Sequence, residues 1–183
     1  MTDDSAMNIL KKSYISLSLL IVLFLVPGKG RAQDAEKEAS LKAVFLYNFT
    51  KYIDWPSLNN NQYFVIGVVG STEITSALSQ IAKSYRVEGK KMLILYFKKT
   101  EEISHCDMLF ISGHSGIPVL SAVNQTGRGT LTVSEEPPGS SSGAAFNFVI
   151  KDDKLKFEAS LKAINSTGLK ISAQLLKLAI LVD

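Results

Sequence analysis

The hydrophobic positions change their period along the chain, and this change separates a helical segment from extended ones. Between residues 39 and 54, apolar side chains recur at helical spacing, which predicts a helix that Pro56 terminates. Further on, apolar positions form short continuous runs of strand length, as expected for strands that are covered on both faces. These runs are residues 63–69, 92–97, 108–112 and 129–133.

Helices are predicted between and after these strands. Ser71 is placed to cap a helix over residues 73–84, and Pro118 suits the first turn of a short helix that ends at Gly127. The last elements are a hairpin of residues 146–150 and 155–158 and two helices at residues 159–165 and 172–181. The pattern predicts an α/β fold in a single domain, with a mainly parallel sheet, a C-terminal β-hairpin and flanking helices in a Rossmann-like three-layer arrangement.

Residues 1–32 have the pattern of a cleavable secretory signal peptide. Lys11 and Lys12 precede an apolar run over residues 14–26 that is too short to span a bilayer comfortably. Small residues occupy the positions that a signal peptidase reads, so cleavage is expected between Ala32 and Gln33. An uncleaved anchor is the alternative, because basic residues follow the apolar run. Residues 33–183 are then expected to form one mature domain in the periplasm.

Charge and cysteine content narrow the functional classes. Residues 33–183 contain 16 Lys and Arg against 15 Asp and Glu, and this balance argues against nucleic acid and against an electrostatic membrane patch. Cys106 is the only cysteine of the chain, so no internal disulfide can form. Because Cys106 opens an apolar run, we expect it to be buried; an intermolecular bridge is the alternative.

The sequence contains no HExxH, CxxC, GxSxG or G-x-x-x-x-G-K-S/T motif. Residues 67–72 resemble a phosphate-binding turn only weakly, because a third glycine and a lysine are missing, and an ordinary capped helix start is the simpler reading. We therefore expect a protein that is not an enzyme and has no cofactor and no metal. His105 and Cys106 would point to opposite faces of a strand, which argues against a Cys-His nucleophile pair. The glutamate pairs at 101–102 and 135–136 lack partners at metal-ligand spacing and are expected to be solvated loop charge.

Loops at the carboxyl ends of the strands form one candidate ligand site. Ligands of open α/β sheets bind beyond those ends, and parallel strands would bring four polar residues to one edge: Ser71, Thr72, His114 and Ser115. Such a set suits a small polar ligand. A hydrolase using His114 and a loop serine is a further reading, but no acid that would orient the histidine is visible. The simplest reading of His114 is a solvated loop residue.

The first helix and the residues after it, KAVFLYNFTKYIDWP at 42–56, contain more aromatic side chains than one buried face needs. A helix that covers a core requires a single apolar stripe. The polar positions here are scattered, which predicts two apolar sides, one for the core and one for another molecule. Four residues are candidates for partner or dimer contact: Tyr47, Asn48, Lys51 and Trp55. The alternative is that the whole helix is core, with Trp55 as a plug.

Four stretches together, in order along the chain, resemble the YfiR-like family of periplasmic regulatory proteins. They are KAVFLYNFTKYIDWP, CDMLFIS, GAAFNFVIKDDKLKFEASLKAI and GLKISAQLLKLA. The resemblance implies a sheet flanked by helices, a homodimer, and regulation rather than catalysis. The best-known member inhibits an inner-membrane diguanylate cyclase from the periplasmic side. An outer-membrane lipoprotein relieves this inhibition by sequestering the inhibitory protein.

By this resemblance we expect a protein that inhibits a membrane-bound signalling enzyme, such as a diguanylate cyclase in cyclic di-GMP signalling and biofilm formation, through protein–protein contact. The alternative is a sensor module for a small polar ligand that acts through another envelope receptor or kinase. Redox control through disulfides has been attached to the best-known member. Since Cys106 is alone here, an intramolecular thiol switch cannot operate.

Overall fold

The computed structural model describes residues 29–59, 61–140 and 143–182 of the chain. The signal peptide predicted for residues 1–32 lies outside these residues except for its last four, which begin the first helix. Glu36–Asp183 forms a compact unit, and the architecture below is that of this unit. No helix within the described ranges is both long and apolar enough to cross a membrane.

The described residues alternate helices and strands, and the first helix enters the unit at Glu36. The helices are α1 (Lys29–Phe49), α2 (Thr72–Ser84), α3 (Val119–Val123), α4 (Leu161–Thr167) and α5 (Ala173–Leu176). The strands are β1 (Ile53–Asp54), β2 (Tyr63–Val69), β3 (Arg86–Val87), β4 (Lys90–Phe97), β5 (Met108–Ile111), β6 (Leu131–Ser134), β7 (Phe146–Lys151), β8 (Lys154–Ser160), β9 (Lys170–Ile171) and β10 (Ile180–Val182). The strands at 63–69, 92–97, 108–112 and 129–133, and the hairpin after them, are therefore confirmed.

Within the ranges that the structure describes, eight strands form one sheet in the order β10-β8-β7-β6-β5-β2-β4-β3. From β4 to β7 all neighbours are parallel. The hairpin partner β8 is antiparallel to β7, and β3 is antiparallel to β4. The short strands β1 and β9 form a separate antiparallel pair. The predicted mainly parallel sheet with a C-terminal hairpin is confirmed.

The central strands are covered on both faces, as their continuous apolar sequence predicts. Along β5, Met108 and Phe110 pack into one hydrophobic cluster, and Leu109 and Ile111 pack into a second one. Side chains of α1 and α2 fill the first cluster, and those of α3 contribute to the second. Because alternate residues of a strand point to opposite faces, the two clusters lie on opposite faces of the sheet and the fold has three layers.

The predicted helix over residues 172–181 is wrong. Helix α5 ends at Leu176, and Ile180–Val182 forms β10, a parallel neighbour of β8 at one edge of the sheet. The apolar residues here match helical spacing, but backbone pairing with β8 overrides this local preference. The sequence carries no sign of that non-local pairing.

The first helix also ends earlier than predicted. Regular helix stops at Phe49 rather than at Asp54, and one 3-10 turn, Thr50–Tyr52, leads into β1. The Thr50 hydroxyl donates to the carbonyl oxygen of Tyr47 at 2.6 Å, a bond that competes with continued helix. The end is therefore set by Thr50 and by the pairing of β1 with β9, upstream of Pro56.

Candidate functional site

One face of α1 is anchored in the core by regularly spaced side chains. The buried residues recur every three or four positions: Ala39, Ala43, Leu46 and Phe49. The Phe49 ring has aromatic neighbours on both strands of the hairpin, with centroids 5.0 Å from Phe146, 5.9 Å from Phe148 and 4.9 Å from Phe157. Such aromatic contacts fix the rotation of the helix about its axis, and hence decide which side chains face away from the sheet.

Two apolar side chains of α1 face away from the core. Leu41 and Val44 are each 45% exposed, and residues three apart on a helix are neighbours on its surface. Within the described residues, the helix therefore has a second apolar side, as its sequence predicts. The alternative that the whole helix is core does not hold for these two residues.

Next to this apolar pair, Tyr47 and Asn48 of α1 form a cluster with Lys51 of the 3-10 turn that follows the helix. The Lys51 ammonium donates to Asn48 Oδ1 at 3.0 Å and lies 4.5 Å from the centroid of the Tyr47 ring. The other side of the cluster is formed by Tyr85, whose ring centroid is 5.1 Å from that of Tyr47. Tyr47 and Asn48 are half-buried and Lys51 is exposed, so all three are accessible to a partner.

Trp55, the fourth candidate contact residue, has a different position. Its side chain is 2% exposed, and its indole N–H donates to the carbonyl oxygen of Thr50 at 3.0 Å. The ring packs edge-on against Phe64 at a centroid distance of 4.8 Å. Trp55 thus fills the core beneath the end of α1. In this conformation its side chain is too buried to contact a partner directly.

An ion pair joins α1 to the ends of two strands. The Lys42 ammonium lies 2.5 Å from Glu135 Oε1 and also contacts Glu38 one turn earlier. Glu135 Oε2 accepts hydrogen bonds from the Ser112 hydroxyl and the Gly113 N–H, both at 3.1 Å. The side chains of Lys42 and Glu135 are only 12% and 13% exposed. The expectation that residues 135–136 are solvated loop charge is therefore wrong for Glu135.

The environment of Lys42 raises its pKa above the ordinary value of 10.5. Burial alone would lower this pKa, because it disfavours the charged ammonium. The hydrogen bonds and the negative charges of Glu135 and Glu38 together outweigh burial. Lys42 is thus held protonated as a fixed link between α1 and the sheet.

The loops of the candidate ligand site meet only in part. Gly70, in the loop after β2, lies so close to the loop after β5 that an added Cβ would be 2.2 Å from Ser115 Cβ. The Ser71 hydroxyl accepts from the Ile74 N–H as the cap of α2, confirming that role, and Thr72 is the first residue of this helix. His114 is exposed and lines a cleft of about 420 Å³ together with Lys42, Glu135 and Glu136.

A buried polar group that the sequence did not reveal lies on the hairpin. Asn147 and Glu158 are each 6% exposed, and the Asn147 amide donates to Glu158 Oε2 at 2.9 Å. Asn147 Oδ1 accepts from the Glu136 N–H at 2.8 Å, and Glu158 Oε1 accepts from the Gly139 N–H at 2.9 Å. These bonds hold the loop after β6 against the hairpin. The only available signal was a polar residue within each apolar strand, at FNF and FEA.

Cys106 is buried, as predicted, with 1% exposure. Desolvation is the main reason that its pKa is raised, to about 12. His105 is exposed, and both residues precede β5 rather than lying on a strand, so the expected strand geometry does not apply to them. A thiol in this setting is a small packing residue, not a nucleophile.

A known protein family matches most of the chain. The model of the YfiR/HmsC-like family matches residues 39–180, from the first core residue of α1 to the first residue of β10. Proteins of this family are periplasmic and regulatory rather than catalytic, and they are known for regulating diguanylate cyclases. Within the described residues, no group of three or more His, Cys, Asp and Glu side chains could hold a metal ion.

Proposed function

This chain belongs to the YfiR/HmsC-like family, and from that premise we propose that it inhibits a membrane-bound signalling enzyme by protein–protein contact through α1. The proposed target is an inner-membrane diguanylate cyclase. The mature protein, after removal of the signal peptide, would bind it from the periplasmic side. An outer-membrane lipoprotein that competes for the same surface is the proposed release mechanism, and a homodimer is the proposed active form.

The observation that supports this proposal most directly is the outward side of α1. Leu41 and Val44 stay 45% exposed although the opposite side of the helix is fully packed. Beside them, Tyr47 adds an aromatic ring, a residue type enriched at interfaces, and the exposed Lys51 supplies a charge suited to the polar rim of such a patch. An apolar centre with a polar neighbour is the usual composition of a protein-binding patch.

The fixed position of α1 supports the same proposal. A binding helix loses less entropy on association when it is already held in place. Phe49 holds it through the aromatic core, and Lys42 holds it through Glu135 at the sheet edge. The surface around Leu41 and Val44 is thus presented by a rigid helix.

The test is complementation of a deletion strain, with cellular cyclic di-GMP as the readout. Leu41→Asp combined with Val44→Asp places two charges on the proposed contact surface. The matched control is Leu120→Asp, since Leu120 is 55% exposed on α3, a helix that packs on the other face of the sheet. Thermal unfolding of each purified variant verifies that it is folded.

We expect deletion to raise cyclic di-GMP, and the wild type and Leu120→Asp to restore the low level. The α1 double variant should fold and fail to restore it. Full restoration by the double variant would show that α1 is not the inhibitory surface. An unchanged cyclic di-GMP level in the deletion strain would remove the cyclase as the target.

The cleft beside His114 supports a second candidate function, the sensing of a small polar ligand. It combines an imidazole with the Lys42 ammonium and the Glu135 carboxylate in about 420 Å³. A ligand of the folded state raises the melting temperature. A shift with one member of an amino-acid and nucleotide panel, lost in His114→Ala, is the expected result; no shift across the panel would exclude those ligand classes.

A further inference from the structure

Strand β4 has an outer edge that is mostly unpaired. On its inner side, β2 pairs with it over the whole range from Lys91 to Phe97. On its outer side, the two-residue strand β3 pairs only with Lys90 and Lys91. From Met92 to Phe97, no strand in the described part of the chain pairs with this outer edge.

An open edge of this kind is unusual in its length and composition. Every second residue of the segment MLILYF has backbone N–H and C=O groups that point away from the sheet. Natural sheets commonly shield such edges or keep them short, because an open apolar edge pairs with other chains. Here Leu93 is 41% exposed and Tyr96 is 37% exposed, so the edge is apolar as well as unpaired.

The charges at both ends of the segment argue against a second copy as the pairing strand. Lysine pairs flank the segment at residues 90–91 and 98–99. If two copies paired antiparallel over residues 92–97, Lys98 and Lys99 of one copy would run into β3 of the other copy, which already occupies the positions beside Lys91 and Lys90. Lys98 would also approach Arg86 and Lys91 there, and like charges at neighbouring positions destabilise a strand pair. Lysines of this kind are a known means of preventing edge-to-edge association.

The same charges favour a strand with acidic ends. Between residues 86 and 102 the chain has five cations and three carboxylates. One carboxylate, Glu102, already accepts a hydrogen bond from the Lys98 backbone N–H at 2.8 Å. Lys91, Lys98 and Lys99 are exposed and project at the two ends of the open edge. An incoming strand with Asp or Glu at its ends and apolar residues between them matches this pattern.

We propose that the outer edge of β4 binds an extended segment of another protein, apolar in its centre and acidic at both ends, by adding it to the sheet as a further strand. The backbone groups of residues 92–97 supply the hydrogen bonds, and Leu93 and Tyr96 supply apolar contacts. The flanking lysines select the acidic ends. This inference involves none of the residues of α1, so it stands or fails separately from the proposed inhibition.

The test uses synthetic peptides and the mature full-length domain. The first peptide has two glutamates at each end of a short alternating valine–threonine segment and carries a fluorophore for anisotropy. The second has lysines in place of the glutamates. The third is the first peptide with every backbone amide of its central segment N-methylated, which removes the hydrogen-bond donors of both strand edges while keeping its charge.

The acidic peptide should bind roughly tenfold more tightly than the lysine peptide at low salt, a gap that several cross-strand charge pairs would produce. The gap should narrow as salt is added. N-methylation should abolish binding. In the variant Lys98→Glu with Lys99→Glu, the preference should shift toward the lysine peptide, whereas Lys151→Glu with Lys154→Glu on the distant hairpin should leave it unchanged.

Three results would overturn the proposal. The first is no binding of the acidic peptide, and the second is equal binding of the N-methylated one, which would show charge attraction without strand addition. The third is a wild-type dimer in sedimentation velocity that Leu93→Asp dissociates, since this would make a second copy the occupant of the edge. A dimer that persists in Leu93→Asp agrees with the proposal, because its interface then lies elsewhere.

Discussion

Replacing Glu135 with glutamine should destabilise the protein although no apolar contact is removed. The substitution keeps the size of the side chain and one oxygen that can accept from Ser112 and Gly113. It removes the negative charge that lies 2.5 Å from the Lys42 ammonium. Lys42 is then left in a site that is 88% covered, with Glu38 as its remaining anionic partner.

The magnitude follows from the exposure of the two side chains. Removing one partner of a fully buried ion pair costs about 3–5 kcal/mol, and an exposed pair contributes about 0–1 kcal/mol. Exposures of 12% and 13% place this pair near the buried limit, while Glu38 offsets part of the loss. We therefore expect a loss of about 2 kcal/mol in unfolding free energy, which lowers Tm by about 4–8 °C for a domain of this size.

Urea unfolding followed by tryptophan fluorescence measures this change. Trp55 is the single tryptophan of the chain and is buried, so its emission reports the loss of the core. The matched control is Glu38→Gln, which removes the other carboxylate of Lys42. The Glu38 side chain is 52% exposed and lies one helical turn away, so its loss should cost less than about 0.5 kcal/mol.

A double-mutant cycle with Lys42→Met separates the pair from the single residues. In the Lys42→Met background, Glu135→Gln should cost less than it does in the wild type, since the charge it would leave unpaired is absent. Equal losses in Glu135→Gln and Glu38→Gln, or equal effects of Glu135→Gln in both backgrounds, would refute the reasoning. A change in the slope of unfolding free energy against urea concentration would instead indicate that the substitution altered the unfolded or the native state.

Three further predictions concern other parts of the fold. Because burial raises the pKa of Cys106 to about 12, a thiol reagent should label it only after denaturation, and rapid labelling of the native protein would contradict its packing. Gly70→Ala should cost at least about 2 kcal/mol more than Gly139→Ala in urea unfolding: both glycines have positive φ, but only the Cβ at Gly70 would meet another residue, Ser115. The raised pKa of Lys42 means that its charge stabilises the fold fully below pH 10.5, and that this contribution is lost as pH rises through the higher folded value. The stability difference between wild type and Lys42→Met should therefore shrink above pH 10.5, and a difference that grows there would have the wrong sign.

The sheet could be predicted from the sequence because each central strand is a continuous apolar run between turn residues. Helix α2 could be predicted equally well, because Ser71 is a local capping signal and does cap this helix in the structure. Strand β10 could not be predicted, because its apolar residues are compatible with helical spacing and only its pairing with β8 makes it extended. Local patterns specify local structure, and an edge strand is specified by its neighbour.

For the candidate contact helix α1 too, some features follow from the local sequence and others only from packing against distant residues. Its sequence predicts two apolar sides, but the orientation of the helix is decided by Phe49 and the phenylalanines of the hairpin, which are distant in sequence. Only this packing identifies Leu41 and Val44 as outward and Trp55 as buried. The ion pair between Lys42 and Glu135 could not be predicted from the sequence either, because neither residue has a local feature that points to the other.

Site-specific photo-cross-linking in intact cells tests most directly whether α1 is the surface that contacts the target. A photoreactive phenylalanine analogue would replace Leu41 or Val44, and in a control strain Leu120, which is at least as exposed but lies on α3. We predict cross-links from the two α1 positions to an inner-membrane signalling protein, identified by mass spectrometry, and none to that protein from position 120. Cross-links to it from position 120 alone, with none from α1, would contradict the account.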